Sequence, residues 1–196
     1  MPKSPKTALS PRNLAIAYRW GSLAEEWTES FPCDPLLPEC DHVFQRGVNI
    51  AAPAEVVFRW LCQMKVAPYS YDWIDNFGRR SPAFLTPGAE LLRRGEPVMT
   101  IFRLADFAPD QHITLQMHTA GGLAVFGQVA LTYRVTAQDA RHSRLAVRLR
   151  VRYPRKGFWR CMRYLLPWGD LIMMRRQLLN FQSLAESSVV NLKDVR

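Results

Sequence analysis

Few residues in this chain have the type and spacing that chemistry needs. The densest group is Tyr69, Tyr71, Asp72 and Trp73. Tyr71 and Asp72 set a phenol beside a carboxylate, a pair able to position a polar ligand group or relay a proton. The same group has a structural reading, in which Asp72 stabilises the first turn of a helix and Trp73 plugs the core. His112 and His118 share one predicted strand. A metal site needs three or four convergent ligands, and no carboxylate or cysteine stands at matching spacing, so no metal is expected. Alternation from Leu115 and Met117 turns both histidines outward. There is no G-x-S-x-G nucleophile elbow and no glycine-rich phosphate loop; Gly121-Gly122 reads as a turn. Catalytic residues stay unassigned, with Tyr71 and Asp72 as candidates, and no cofactor is called for.

Late in the chain, Met173, Met174 and Gln177 suit the wall of a cavity, because methionine adapts to irregular ligands. Plain core packing is the alternative. Arg175 and Arg176 interrupt an apolar stretch. Either one of them reaches an internal carboxylate or an anionic head group, or both snorkel to the surface. The cysteines, Cys33, Cys40, Cys62 and Cys161, include no C-x-x-C pair. Buried reduced thiols in a cytoplasmic protein are the simplest account. A Cys33–Cys40 disulfide has no support from context.

These groups need elements to hold them. At 196 residues the chain suits one domain, and 48% hydrophobic residues are enough for a real core. Residues 1–41 read as an N-terminal arm with short helices, one running from Ser10-Pro11 to about Trp20 and one over 22–30. Ser22-Leu-Ala-Glu25 supplies capping-box spacing for the second. Pro32, Pro35 and Pro38 then impose an irregular path. The main domain spans 42–190, and 191–196 form a tail. Val43 opens a first strand to Ile50. Helices follow over 54–64 and 71–77, the first from Val56, Val57, Trp60, Leu61 and Met64 at helical spacing. Strands are predicted at 89–95, 98–106, 112–119, 125–136 and 144–153. In the last, Leu145, Val147, Leu149 and Val151 alternate with Arg144, Arg148, Arg150 and Arg152, which predicts a buried face and a wet one. A long helix starts at 158, with Pro167 as a kink or restart. Its stripe is Leu171, Met174, Leu178, Phe181 and Ala185. The prediction is an α+β fold in which a curved antiparallel sheet of about six strands wraps that helix and leaves a cavity.

Several runs carry a resemblance: Trp20-Gly21, Arg46-Gly-Val-Asn-Ile-Ala-Ala-Pro53, Phe58-Arg-Trp-Leu-Cys-Gln63, Tyr69-Ser-Tyr-Asp-Trp-Ile-Asp-Asn76, and Asp170 through Leu179. Over residues 20–186 the chain resembles the SRPBCC superfamily, also called START-like or polyketide-cyclase-like, which has the helix-grip fold. The Tyr69-to-Trp73 run is similar to a bacterial branch of it. The resemblance implies an internal hydrophobic tunnel for lipids, polyketides or similar molecules, and two short helices after the first strand. It implies no single activity.

Binding of a hydrophobic or amphipathic small molecule is therefore the expected function. The alternative is a cyclase, dehydratase or hydrolase of the same fold, using Tyr71 and Asp72 with His118 as a third candidate. The expected cavity lining is Trp60, Tyr71, Met117, Phe126, Tyr133, Met174, Gln177 and Phe181. Trp60 and Tyr71 enter by resemblance; Phe126 requires a bulge at Gly127. The net charge of +9 favours anionic partners and leaves transient contact with an acidic membrane open. Nucleic acid is disfavoured, because the Arg144-to-Arg152 face lacks aromatic interleaving and no helix-turn-helix or zinc pattern exists. No stretch is long and apolar enough to span a bilayer.

Overall fold

Period-two alternation produces the two strands on which the fold is built. In the computed structural model, which describes residues 16–71, 73, 78–155 and 157–194, these strands pair antiparallel along their whole length, from Gln128 opposite Arg152 to Ala137 opposite Ser143. The strands are β1 (Arg19–Trp20), β2 (His42–Ile50), β3 (Pro97–Val98), β4 (Phe102–Ala108), β5 (His112–Met117), β6 (Gln128–Ala137) and β7 (Ser143–Arg152). They form one sheet in the order β1-β2-β7-β6-β5-β4-β3. All neighbours are antiparallel except β1 and β2. The helices are α1 (Ala54–Cys62), α2 (Ala120–Phe126) and α3 (Met162–Asp194). The curved sheet around long α3 is the helix-grip fold.

One face of the sheet holds the core. Phe44 and Val48 of β2, Leu131, Tyr133 and Val135 of β6, and Leu145, Val147 and Val151 of β7 are buried there together with Leu178, Phe181 and Ala185 of α3. Polar bonds fix the helix over the sheet edge. Glu186 accepts from the Ala51 N–H at 3.0 Å, and Gln182 donates to the Asn49 carbonyl at 3.0 Å. α1 buries Val57, Phe58, Trp60, Leu61 and Cys62, and the Trp60 indole donates to Ser188 Oγ at 3.0 Å.

The opposite face differs from the expectation. Arg148 is buried and Arg150 and Arg152 are half-buried, none of them inside the cavity. The polypeptide between Gly21 and Asp41 lies across this face as a strap. Glu26 pairs with Arg144 at 2.8 Å, and Asp34 pairs with Arg148 at 2.9 Å and Arg150 at 3.0 Å. Arg150 also donates to the carbonyls of Leu37 and Pro38. Phe31 lies between two guanidinium groups, Arg134 and Arg148, whose carbons are 4.0 and 4.2 Å from its ring centre. The proline-rich stretch folds as turns and bends, with the Asp34 N–H donating to the Phe31 carbonyl at 2.8 Å, and prolines supply no N–H to compete with the arginines for its other carbonyls. Alternation identified the buried face correctly, but the other face is covered rather than wet.

Other departures have local causes. Residues 89–95 form turns, because Leu91-Leu92 and Arg93-Arg94 do not alternate and Gly88 and Gly95 take positive φ. Segment 98–106 splits at Met99 and Thr100, both at positive φ. The start of the predicted strand 125–136 is α2 instead. Thr119 caps it by accepting from the Gly122 N–H at 3.2 Å, and Gly127 ends it at φ 81°. Gly121-Gly122 is thus the first helical turn; a Cβ on Gly122 would lie 2.4 Å from Met117 Sδ. The 22–30 helix shrinks to a 3-10 turn at Glu25–Trp27, and Ser22 accepts from the Trp27 indole instead of forming a capping box. Residues 16–18 are helical, but 19–20 are strand, and the rest of that predicted helix lies outside the described residues. So does most of 71–77. α3 runs through Pro167 and on to Asp194.

All four cysteines are free thiols. Burial pushes Cys33 up to about 11 and Cys62 up to about 12. Ellman's reagent should therefore label half-buried Cys40 and Cys161 first in the native protein. Labelling of Cys33 as fast as that of Cys40, with Cys62 still slow, would mean that the strap opens readily.

Candidate functional site: an apolar cavity beneath the C-terminal helix

α3 and the sheet do not close completely. Between them lies a cavity of about 380 Å³. Its sheet wall is Met117, Val129, Leu131, Tyr133 and Leu149. Its helical wall is Met162, Leu165, Leu166, Gly169, Asp170, Met173, Met174 and Gln177. Pro68, Ser70, Met99, Ile101, Phe102 and Phe126 complete it. The positive φ of Met99 is what turns the β3–β4 connection beneath α3.

The polar groups are few and mostly committed. Tyr133 donates its phenolic proton to Gln177 Oε1 at 2.6 Å, and Gln177 Nε2 donates to the Pro68 carbonyl. That chain fixes the amide orientation and leaves the Tyr133 oxygen as an acceptor. Burial holds the Tyr133 phenol protonated, far above its usual range. Asp170 Oδ2 accepts from Arg46 Nη2 at 2.8 Å. Arg46 is fully buried, and its other bonds go to the backbone carbonyls of Ala17 and Gln45. Burial raises Asp170 to about 6, although Arg46 pulls it the other way. Among the described residues, the hydroxyl of Ser70 is buried without a hydrogen-bond partner.

Of the residues expected to line a cavity, Met117, Phe126, Tyr133, Met174 and Gln177 meet here. Phe126 arrives as the last residue of α2, not through a strand bulge. Trp60 and Phe181 stand apart from the cavity in the closed core, on either side of Tyr69, whose ring centre is 6.1 Å from Trp60 and 5.4 Å from Phe181. Tyr71 is half-buried and does not line the cavity, and Asp72 lies outside the described residues. Trp73 is exposed rather than plugging the core. His118 is exposed, and His112 faces Asp106 at 3.4 Å. Arg175 and Arg176 both reach solvent, and Arg175 lies over the Trp20 ring.

Sequence reasoning missed Arg46, Asp170 and Ser70. The first two had a signal. Arg46 occupies a core-facing position of β2 between Phe44 and Val48, and Asp170 interrupts the apolar stretch 164–174. A lone charge on an apolar face calls for a partner across the core.

No protein-family model matches the chain, and no curated protein matches it. Solved structures do. The Zhui aromatase/cyclase from Streptomyces sp. R1128 is 16% identical, with 76% of this chain and 95% of that one covered and a TM-score of 0.47. Protein CV1439 from Chromobacterium violaceum is 14% identical, with 74% and 96% covered and a TM-score of 0.45. A Thermobifida fusca protein is 14% identical, with 72% and 94% covered and a TM-score of 0.44. No residue role is carried over from them.

Proposed function

We propose that the cavity binds an amphipathic small molecule, with its apolar body along β5, β6 and β7 and its polar group at Asp170 and Ser70. The observation that carries this reading is the partly enclosed space of about 380 Å³, apolar except for those groups and the Tyr133–Gln177 pair. That volume and lining suit a small-molecule site. Head-group chemistry follows from the donor inventory. Arg46 is paired with Asp170, and although its Nε has no partner among the described residues it does not line the cavity, so no free cation there awaits a carboxylate. Asp170 instead accepts from a donor, and the Ser70 hydroxyl gives or takes one bond. An alcohol or phenol fits this better than an acid. The run from Tyr69 to Trp73 is the basis for placing the chain in the bacterial SRPBCC branch it resembles.

Met174→Trp tests the reading. The indole should fill the space and abolish uptake of a naphthalene dye while the circular dichroism spectrum stays unchanged. A long-chain alcohol should displace the dye from the parent protein. Equal dye binding by variant and parent would mean that Met174 is ordinary core.

A catalytic reading rests on Asp170, a carboxyl titrating near 6 in an apolar cavity. Binding is preferred because Tyr133 is locked to Gln177 and Tyr71 stands off the cavity.

A further inference from the structure

The first turns of α3 are apolar on both sides. Leu166, Met173 and Met174 face the cavity. Tyr164, Leu165, Trp168 and Ile172 follow at steps of one, three and four, the spacing of one helix face, and they are 72%, 58%, 41% and 55% exposed. Phe158 and Trp159 lie just ahead, also exposed, with ring centres 5.4 Å apart. A helix apolar all round is normally buried on every side. Here one side is left largely exposed among the described residues.

The flanks are basic. Arg155, Arg160, Arg163, Arg175 and Arg176 are all exposed. Between residues 155 and 185 the only acidic residue is Asp170, which is paired with Arg46. Asp41 borders Arg155, Arg160 and Arg163 at a surface pocket, but one carboxylate against five arginines leaves the patch net positive around its aromatic and aliphatic side chains. Trp and Tyr with flanking Arg are the residues that settle at a membrane–water interface. The patch also meets the rim of the cavity, since Leu165 and Gly169 are both exposed and lining.

We propose that this face of α3, with the turn at Phe158–Cys161, docks on an anionic lipid bilayer surface. Charge complementarity selects the bilayer over an apolar protein groove: arginines ring the patch, and acidic head groups offer them partners over any lateral arrangement. The contact is interfacial, because no helix among the described residues is long and apolar enough to cross a membrane. Docked this way, the cavity rim faces the head groups, and an amphipathic molecule passes between bilayer and cavity with little exposure to water. That last step rests on the proposed ligand binding; the docking itself rests on the surface alone.

Flotation of the full chain with vesicles separates the outcomes. The protein should float with vesicles of phosphatidylcholine plus phosphatidylglycerol, less with phosphatidylcholine alone, and less again at high salt. The double variant Arg160→Glu/Arg163→Glu should bind at least about tenfold more weakly, since each arginine near an acidic surface contributes about fivefold. Trp168→Ser should also weaken flotation, with dye uptake and circular dichroism unchanged in both variants. Failure to float, or variants that float like the parent, would overturn the docking surface whatever the dye shows. So would light scattering that finds a dimer in the parent and a monomer in Trp168→Ser, because the face would then join two copies. Loss of dye binding by the parent with flotation intact would overturn the cavity reading alone.

Discussion

Arg148→Ala is expected to lower the unfolding free energy by about 3–5 kcal/mol, the range for breaking a buried ion pair from one side. The loss reaches four groups. Arg148 donates to Gln45 Oε1 at 3.0 Å, to the Glu29 carbonyl at 2.8 Å, to Asp34 at 2.9 Å and to the Glu26 carbonyl. It also covers one side of Phe31. Alanine leaves Gln45 Oε1 and the Glu26 and Glu29 carbonyls without this donor beneath the strap, where unpaired groups are expensive to bury, and leaves Asp34 with Arg150 and the Phe31 N–H alone. Arg152→Ala is the internal control. Its partner is Glu39 at 3.3 Å, and the two side chains are 35% and 82% exposed, so the change should stay within about 1 kcal/mol. Urea unfolding of the two variants side by side measures the difference. Equal midpoints would mean that the strap contributes little and the outer face behaves as a wet surface.

That contrast also marks how far the sequence could be read. Arg148 and Arg152 sit at equivalent positions of the same alternating strand, so period two gives both the same outward direction, correctly. It cannot say whether water or polypeptide lies beyond them. Asp34 is 114 residues from Arg148, and nothing in the pattern of β7 names it as the partner. The same limit applies within the core. β6, β7, α1 and α3 follow local periodicity and were predictable from it. α2 was not, because Gly121-Gly122 is a turn signal by composition; Thr119 caps the helix, and the close approach of Met117 requires a glycine at 122 for packing rather than for a turn. The cavity wall on β5, β6 and α3 followed from face assignment. Its polar end did not, because Arg46 and Asp170 lie on elements 124 residues apart and meet only when the sheet curves under the helix.

Asp170 should make stability depend on pH in a direction opposite to that of an ordinary salt-bridged carboxylate. Its value is 3.8 in the absence of the fold and about 6 within it, raised by burial against the pull of Arg46. Between those values the native state holds the proton more tightly than the unfolded chain. This group therefore adds stability as pH falls from about 6 toward 3.8, and its ionisation costs stability above 6. The two-unit gap corresponds to on the order of 3 kcal/mol. Asp170→Asn carries no proton, so the difference in unfolding free energy between parent and variant isolates the effect. Loss of the partner of Arg46 adds only a constant offset, because a guanidinium stays charged throughout. The parent should gain about 3 kcal/mol on the variant between neutral pH and about pH 4. The same proton alters the head-group preference. Ionised Asp170 repels a carboxylate, whereas the protonated carboxyl offers it a donor, so a long-chain acid should displace dye from the parent only below about pH 6. The asparagine amide donates at every pH, so the variant should accept the acid on both sides of that value. A flat difference curve, with acid displacing dye equally at all pH values, would mean that Arg46 keeps Asp170 ionised and that the polar end of the cavity does not discriminate by charge.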